Sequence, residues 1–128
     1  MQQNRFKNSF AERVKNLDWL AGFFDGECCI YFTEKSRKYK EKFYPEVQVI
    51  FAQSGERGFE LMKAIKDEYG TGKISSTHGS ALTKQTPYMT RISGKKAIEF
   101  LKLIEPHLVI KQEKAQQIIT YMESYYAN

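Results

Sequence analysis

The chain has 128 residues, of which 41% are hydrophobic and 14% aromatic, which suits one folded domain and excludes a disordered chain. No run reaches the roughly 18–20 apolar residues of a transmembrane helix, and two adjacent cysteines, Cys28 and Cys29, exclude a disulfide framework or a four-ligand zinc site. With its polar N-terminus we expect an intracellular protein, in the cytoplasm or in an organelle, that has no membrane partner, and the net charge of +5 favours a polyanionic partner.

The first part of the chain contains a strongly apolar helix. Residues 1–15 are predicted to be a polar lead-in and residues 16–128 to form a single domain. The helix is expected to begin after an N-cap at Asn16, to end at Phe24 or Asp25, and to stop at Gly26. Because it is apolar nearly all round, part of its surface must be covered by something outside so small a domain, which implies a partner subunit.

The remaining elements alternate between hairpins and helices. Strands over 29–35 and 44–53 form a long hairpin, a helix over 56–69 ends at the glycines of 70–72, and strands over 73–77 and 87–93 form a second hairpin. Two helices follow, the first from about 94 to Pro106 and the second over about 107–125. This order predicts an α+β fold in which helices cover one face of a four-stranded antiparallel sheet and leave the other face open.

The open face and the first hairpin are polar and basic. Hydroxyls, amides, aromatic rings and cations of this kind can hydrogen-bond the edges of bases, and lysines suit phosphate oxygens. A solvated hairpin, an ordinary one-sided sheet or a platform for RNA would show the same pattern, so these readings stay open. The candidate nucleic-acid contacts are Tyr31, Thr33, Lys35, Arg37, Lys38, Lys40, Tyr44, Glu46, Gln48, Lys73, Ser75, Thr77, Met89 and Arg91.

Two acids, Asp25 and Glu27, stand at the C-terminal end of the apolar helix. Carboxylates are unfavourable there because this end of a helix carries partial negative charge. A hard divalent cation such as Mg²⁺, which takes oxygen ligands and phosphates, would relieve the conflict. Two ordinary surface acids are the alternative interpretation.

The segment LAGFFDGE (20–27) resembles the motif of the LAGLIDADG homing endonucleases. Leu20, Ala21, Gly22, Asp25, Gly26 and Glu27 match the motif, and Cys28 replaces its final glycine. The αββαββα order is also that of the family's saddle-shaped core fold, and LVIKQEKAQQI (108–118) resembles a late segment in which a lysine approaches the active site. The resemblance covers residues 16 to 124.

The resemblance implies an activity and a set of site residues. Glu27 would bind Mg²⁺ with its carboxylate and Gly26 with its carbonyl, while Gln53, Arg57 and Lys111 would complete the catalytic group. A single motif implies a homodimer, whose interface would contain Leu17, Leu20, Ala21, Gly22, Phe24 and Asp25. The implied function is site-specific, metal-dependent double-strand cleavage of a long pseudo-palindromic DNA target. The alternatives are a maturase-like RNA-binding cofactor of intron splicing and a catalytically inactive DNA-binding relative.

Overall fold

A sheet of four antiparallel strands carries the helices on one of its faces. The computed structural model describes residues 9–76 and 86–127. Its strand order is β1-β2-β4-β3, which confirms the predicted α+β fold. The elements are α1 (Phe10–Arg13), α2 (Leu17–Glu27), β1 (Cys29–Tyr39), β2 (Lys42–Ser54), α3 (Gly55–Tyr69), β3 (Ser75–Ser76), β4 (Pro87–Ser93), α4 (Lys95–Ile104), a 3₁₀ turn (Glu105–His107) and α5 (Gln112–Ala127).

Local sequence signals place most of these boundaries. The Asn16 side chain accepts a hydrogen bond from the backbone N–H of Trp19 at 3.0 Å, so it caps α2 as predicted. Gly70 ends α3 in the left-handed conformation, with φ of 67°, where glycine carries no Cβ penalty.

Four boundaries differ from the predictions. Strand β3 begins at Ser75 rather than at residue 73. Helix α2 continues through Gly26 to Glu27. The first hairpin is longer than predicted because β1 and β2 continue to a two-residue turn at Lys40 and Glu41. The last helix begins at Gln112 rather than near residue 107, because side-chain contacts described below hold the chain over residues 108–111 outside the helix.

The core lies between one face of the sheet and the helices. The rings of Phe24, Phe51 and Phe100 form its centre, with centroids 5.3–6.0 Å apart. Val14 is fully buried, and the Tyr69 hydroxyl donates a hydrogen bond to its carbonyl. The end of the predicted lead-in is therefore part of the packed structure. None of the helices in the described ranges is both long and apolar enough to cross a membrane.

Helix α2 is divided between the core and the surface. Leu20, Ala21 and Phe24 have exposures of 0–1% and pack inside the chain's own core. The prediction that these three side chains contact a second subunit is therefore wrong, since the chain itself already covers them. The sequence could not separate the two faces because both are apolar.

Candidate active site and nucleic-acid interface

The acidic end of α2 is exposed and its backbone is regular. Glu27 is the last residue of the helix, and the backbone N–H of Cys28 donates to the carbonyl of Phe24 at 3.1 Å. Cys28 has φ of −113° and ψ of 174°, an extended conformation open to any residue. The cysteine that replaces the motif's final glycine therefore introduces no backbone strain. Burial raises the pKa of the Cys28 thiol to about 12, so it stays protonated and unsuited to binding metal at neutral pH.

Asp25 ties the end of α2 to the segment before α5. Its carboxylate accepts hydrogen bonds from the backbone N–H groups of Val109 at 2.8 Å and Lys111 at 2.9 Å. Desolvation raises the pKa of Asp25, but backbone hydrogen bonds from residues 109–111 and the charge of Lys111 outweigh it, so the pKa lies below its ordinary value. Asp25 is thus an ionised brace within one chain, and its predicted place in a subunit interface stays a prediction.

Lys111 brings a positive charge to this acidic end. Its Nζ donates to the backbone carbonyl oxygen of Asp25 at 2.6 Å. A cation is favourable at the C-terminal end of a helix because it opposes the partial negative charge of the carbonyls. The structure therefore places Lys111 beside the Gly26–Glu27 segment, where the resemblance implied it.

Gln53 reaches the same end of the sheet, whereas Arg57 makes other contacts. Cys29 pairs with Ile50, and the backbone of Ala52 hydrogen-bonds the Cys28 thiol, so the end of β2 runs alongside the end of α2. Gln53 Oε1 accepts from the backbone N–H of Ser54 at 2.9 Å. The guanidinium of Arg57 lies 4.7 Å from the centroid of the Phe10 ring and 3.8 Å from the Glu60 carboxylate. The contacts that the structure records for Arg57 thus lie toward α1 and within α3.

The outward face of α2 combines two glycines with two aromatic rings. A Cβ built on Gly22 or Gly26 meets nothing within 4 Å. Trp19 and Phe23 are half-buried and stack with centroids 5.9 Å apart. These four residues follow the i, i+3, i+4, i+7 spacing of one helix face. They leave a smooth apolar strip that runs to the exposed Glu27.

The segment that Asp25 holds at the end of α2 also exposes apolar side chains. Val109 and Ile110 are 82% and 76% exposed, although both are large and apolar. Large apolar side chains that are exposed together often mark a surface that binds a partner.

The residues near Glu27 fit a shared metal site better than a closed one. Within residues 9–76 and 86–127, no three His, Cys, Asp or Glu side chains gather as a possible ligand cluster. One chain offers the Glu27 carboxylate and the terminal carbonyls of α2, a donor set of oxygen atoms only. Mg²⁺ accepts such a set when phosphates and water complete it.

Most of the predicted nucleic-acid contacts share the open face of the sheet. Tyr31 pairs with Gln48, Thr33 with Glu46, and Arg37 with Tyr44, so each pair lies on the same face. The opposite face of β2 carries the buried Val47, Val49 and Phe51. The predicted residues on the open face are Tyr31, Thr33, Arg37, Tyr44, Glu46, Gln48, Ser75, Met89 and Arg91.

Two lysines of the first hairpin leave this face. The register of β1 and β2 shifts between Thr33 and Arg37, and a shift of this kind redirects side chains. Lys35 and Lys38 lie over the ring of Phe43, at 5.0 Å and 5.6 Å from its centroid. Phe43 is on the core side of β2, so the prediction that Lys35 shares the open face is wrong. Lys38 was predicted only as a phosphate contact of the hairpin, and that contact stays a prediction.

The other predicted contacts lie away from the regular strands. Lys40 is at the hairpin turn with its ammonium 5.4 Å from the Tyr39 ring centroid. Lys73 precedes β3, which contains only Ser75 and Ser76. Thr77 lies outside the described residues.

The comparisons with known proteins agree with this geometry. The sequence model of the LAGLIDADG endonuclease family matches residues 20–125, from the first motif residue in α2 almost to the end of α5. The chain belongs to this family. No curated protein matches the sequence.

Solved structures of homing endonucleases share the fold of this LAGLIDADG protein. I-CvuI, in complex with its target (Sro1.3) in the presence of 2 mM Ca, has a TM-score of 0.67 at 23% identity over 87% of this chain and 68% of that chain. I-SmaMI bound to uncleaveable DNA has a TM-score of 0.64 at 19% identity over 86% of this chain and 38% of that chain. I-SmaMI bound to cleaved DNA gives the same score and identity over 37% of that chain. The chain thus spans well under half of the I-SmaMI chains.

Sequence reasoning missed several residues of this LAGLIDADG site. Trp19 and Phe23 were apparent as apolar residues off the inner face of α2, and their spacing with Gly22 and Gly26 was the available signal. Val109 and Ile110 gave no local signal, because the sequence predicted both to lie within the last helix, where apolar side chains usually face the core.

Proposed function

We propose that two copies of this chain form an endonuclease that uses Mg²⁺ to cut both strands of a long pseudo-palindromic DNA target. The observation that carries the proposal is the outward strip of α2. It is apolar, has no side chain at Gly22 and Gly26, and ends at the exposed carboxylate of Glu27 beside Lys111. Family membership supports DNA cleavage as the chemistry.

Pairing of two α2 helices would form the site. Glycines on a helix face let two backbones approach closely, within or below the usual 8–10 Å between helix axes. A second copy would cover Val109 and Ile110, which one chain leaves exposed, and the outer parts of Trp19 and Phe23, which are only half-buried against the chain's own core. The two Glu27 carboxylates would then meet near the two-fold axis, and isologous pairing predicts a symmetric target.

The residues at the end of α2 would divide the work between binding and positioning. Glu27 and the Gly26 carbonyl would hold Mg²⁺, which when bound supplies Lewis-acid stabilisation to the phosphate under attack. Lys111 is held by the Asp25 carbonyl and would place its positive charge near the developing negative charge. Gln53 would orient solvent with its amide. The guanidinium of Arg57 would have to leave the ring of Phe10 when DNA binds before the guanidinium could contact the phosphate.

The open face would lie against the duplex and the first hairpin would extend along it. Arg37 lies 6.0 Å from the ring centroid of Tyr44 on that face, while Lys35 and Lys38 form a second cationic surface on the reverse of the hairpin. Phosphate contacts of this kind make the affinity fall steeply as salt rises.

Cleavage of DNA that carries the gene's own insertion locus tests the proposal. With Mg²⁺ we expect a double-strand cut at one site, which Glu27→Gln abolishes while binding in Ca²⁺ is retained. Glu34→Gln is the matched control, because it removes the same charge from an exposed position on β1. Specific binding without cleavage in any divalent metal would refute the endonuclease. Tighter binding to the intron transcript than to the duplex would favour the maturase-like alternative.

A further inference from the structure

A chain of hydrogen bonds crosses three strands on the open face. The Ser36 hydroxyl donates to the Glu46 carboxylate. Gln48 Nε2 donates to Glu46 Oε1 at 2.8 Å, and Arg91 Nη1 donates to Gln48 Oε1 at 3.1 Å. Arg91 Nη2 also approaches the sulfur of Met89 at 3.1 Å. We call this set, from Ser36 to Arg91, the cross-strand relay.

The chemistry of its two ends fixes the orientation of the central amide. An ionised carboxylate only accepts hydrogen bonds and a guanidinium only donates them. Gln48 must therefore turn its NH₂ group toward Glu46 and its oxygen toward Arg91. The reverse orientation would place donor against donor at one end and acceptor against acceptor at the other.

The irregularity in β1 brings the first member of the relay into place. Ser36 lies between Thr33 and Arg37, where the register of β1 and β2 shifts. Shifts of this kind re-aim a side chain, and here the hydroxyl reaches a carboxylate ten residues away in sequence. Glu46 is thus held from both sides.

Arg91 retains donors for a ligand. The relay and Met89 use two of the five N–H groups of a guanidinium, and Arg91 is exposed on the face that the proposed function assigns to DNA. A guanidinium with a fixed orientation and free donors suits the O6 and N7 acceptors of guanine in the major groove.

We propose that Glu46 is a positioning residue that acts through Gln48 to aim Arg91 at one guanine in each half of the DNA target. The inference rests on the proposed function, since it assigns specificity within that DNA interface. Glu46 itself need touch no base. Its carboxylate acts by allowing only one orientation of the neighbouring amide, and a glutamine in its place would allow both.

Selection from a library of randomised duplexes in Ca²⁺ tests the inference. The wild-type protein should prefer guanine at one position of each half-site by about 5- to 150-fold, the discrimination typical of a bidentate arginine. Arg91→Ala should identify that position by removing the preference, because it removes every donor of the guanidinium. Glu46→Gln and Gln48→Ala should weaken the preference at the same position by about fivefold or more, whereas Glu34→Gln should leave it intact. Equal melting temperatures of Glu46→Gln and Glu34→Gln would show that the weaker preference of Glu46→Gln comes from lost positioning of Arg91 and not from lost folding.

Two results would overturn the inference. If Glu46→Gln preferred guanine as strongly as the wild type does, Glu46 would not position Arg91. A change confined to a position that Arg91→Ala leaves unaffected would show that Glu46 reads its own base. The proposed function can fail in two distinguishable ways. Specific binding without cleavage would refute the endonuclease and leave the inference standing, whereas a wild-type protein that selects no sequence at any position would overturn both.

Discussion

Replacement of Gly22 by leucine should separate the folding of one chain from the pairing of two. In the single chain a Cβ at this position meets nothing within 4 Å, and a leucine in a helix is more favourable than glycine by up to about 1 kcal/mol. At a close-packed interface, a side chain inserted without space costs about 1–3 kcal/mol. Two-fold symmetry repeats this cost, for a total of about 2–6 kcal/mol. We therefore expect Gly22→Leu to fold normally and to dimerise at least about 30-fold more weakly.

The chain provides its own probe for this measurement. Trp19 is the only tryptophan and lies on the same outward face as Gly22. Its emission should shift to shorter wavelength as the wild-type protein is concentrated and the ring is covered, at the concentrations where sedimentation detects a dimer. Ser124→Leu adds the same side chain to an exposed position on α5 and serves as the control. The proposal that this face of α2 forms the dimer interface would be refuted if Gly22→Leu dimerised as strongly as the wild type. It would also be refuted if the wild-type protein stayed monomeric both when concentrated and when bound to DNA.

Three further substitutions test the local structure around the site. Asp25→Asn should lower the free energy of unfolding by about 1–2 kcal/mol, because an amide can accept only one of the two N–H bonds. Since the pKa of Asp25 is lowered in the folded state, this stabilisation is full above the ordinary carboxyl pKa and is lost as the pH falls through the lowered value. Denaturation of the wild type and of Asp25→Asn across acidic pH should therefore converge. Gly58→Ala should destabilise the protein by about 2 kcal/mol, because its Cβ would lie 2.8 Å from backbone atoms of Gln53; unchanged stability and cleavage would contradict that close approach. Lys40→Asn combined with Glu41→Gly should stabilise the protein by about 1 kcal/mol, since both residues have positive φ, and a lower denaturation midpoint would contradict the turn.

The order of the elements was predictable because each has a strong local signal. The Asn16 cap, the Gly70 stop and the alternation in β2 all act over a few residues, and β4 begins at Pro87 and ends at Ser93 as predicted. The start of α5 was not predictable. Residues 108–111 stay outside the helix partly because the Asp25 carboxylate, 84 to 86 residues away, accepts the N–H groups of Val109 and Lys111.

The sequence identified candidate residues of the site, but it was less successful at predicting the faces on which their side chains lie. The motif residues and Lys111 were found from the sequence, since a resemblance carries positions that periodicity cannot. The side chains of Leu20, Ala21 and Phe24 were assigned to a subunit interface but lie in the chain's own core, because an all-round apolar helix has no polar side to indicate its orientation. Similarly, alternation placed Lys35 on the open face, and only the register shift in β1 shows otherwise.

The charges at the end of α2 explain why Glu27 rather than Asp25 is suited to a cation. Both acids stand at the negative end of the helix, but the backbone N–H groups of residues 109–111 stabilise the ionised carboxylate of Asp25, and the Lys111 ammonium donates to the carbonyl of the same residue. No comparable contact is recorded for Glu27 among the described residues, and its side chain is exposed at the end of the apolar strip. Pairing the strips would bring two such carboxylates together, which repel each other unless a cation lies between them. Dimerisation and metal binding should therefore be coupled, so that Mg²⁺ strengthens the pairing of the wild type more than that of Glu27→Gln.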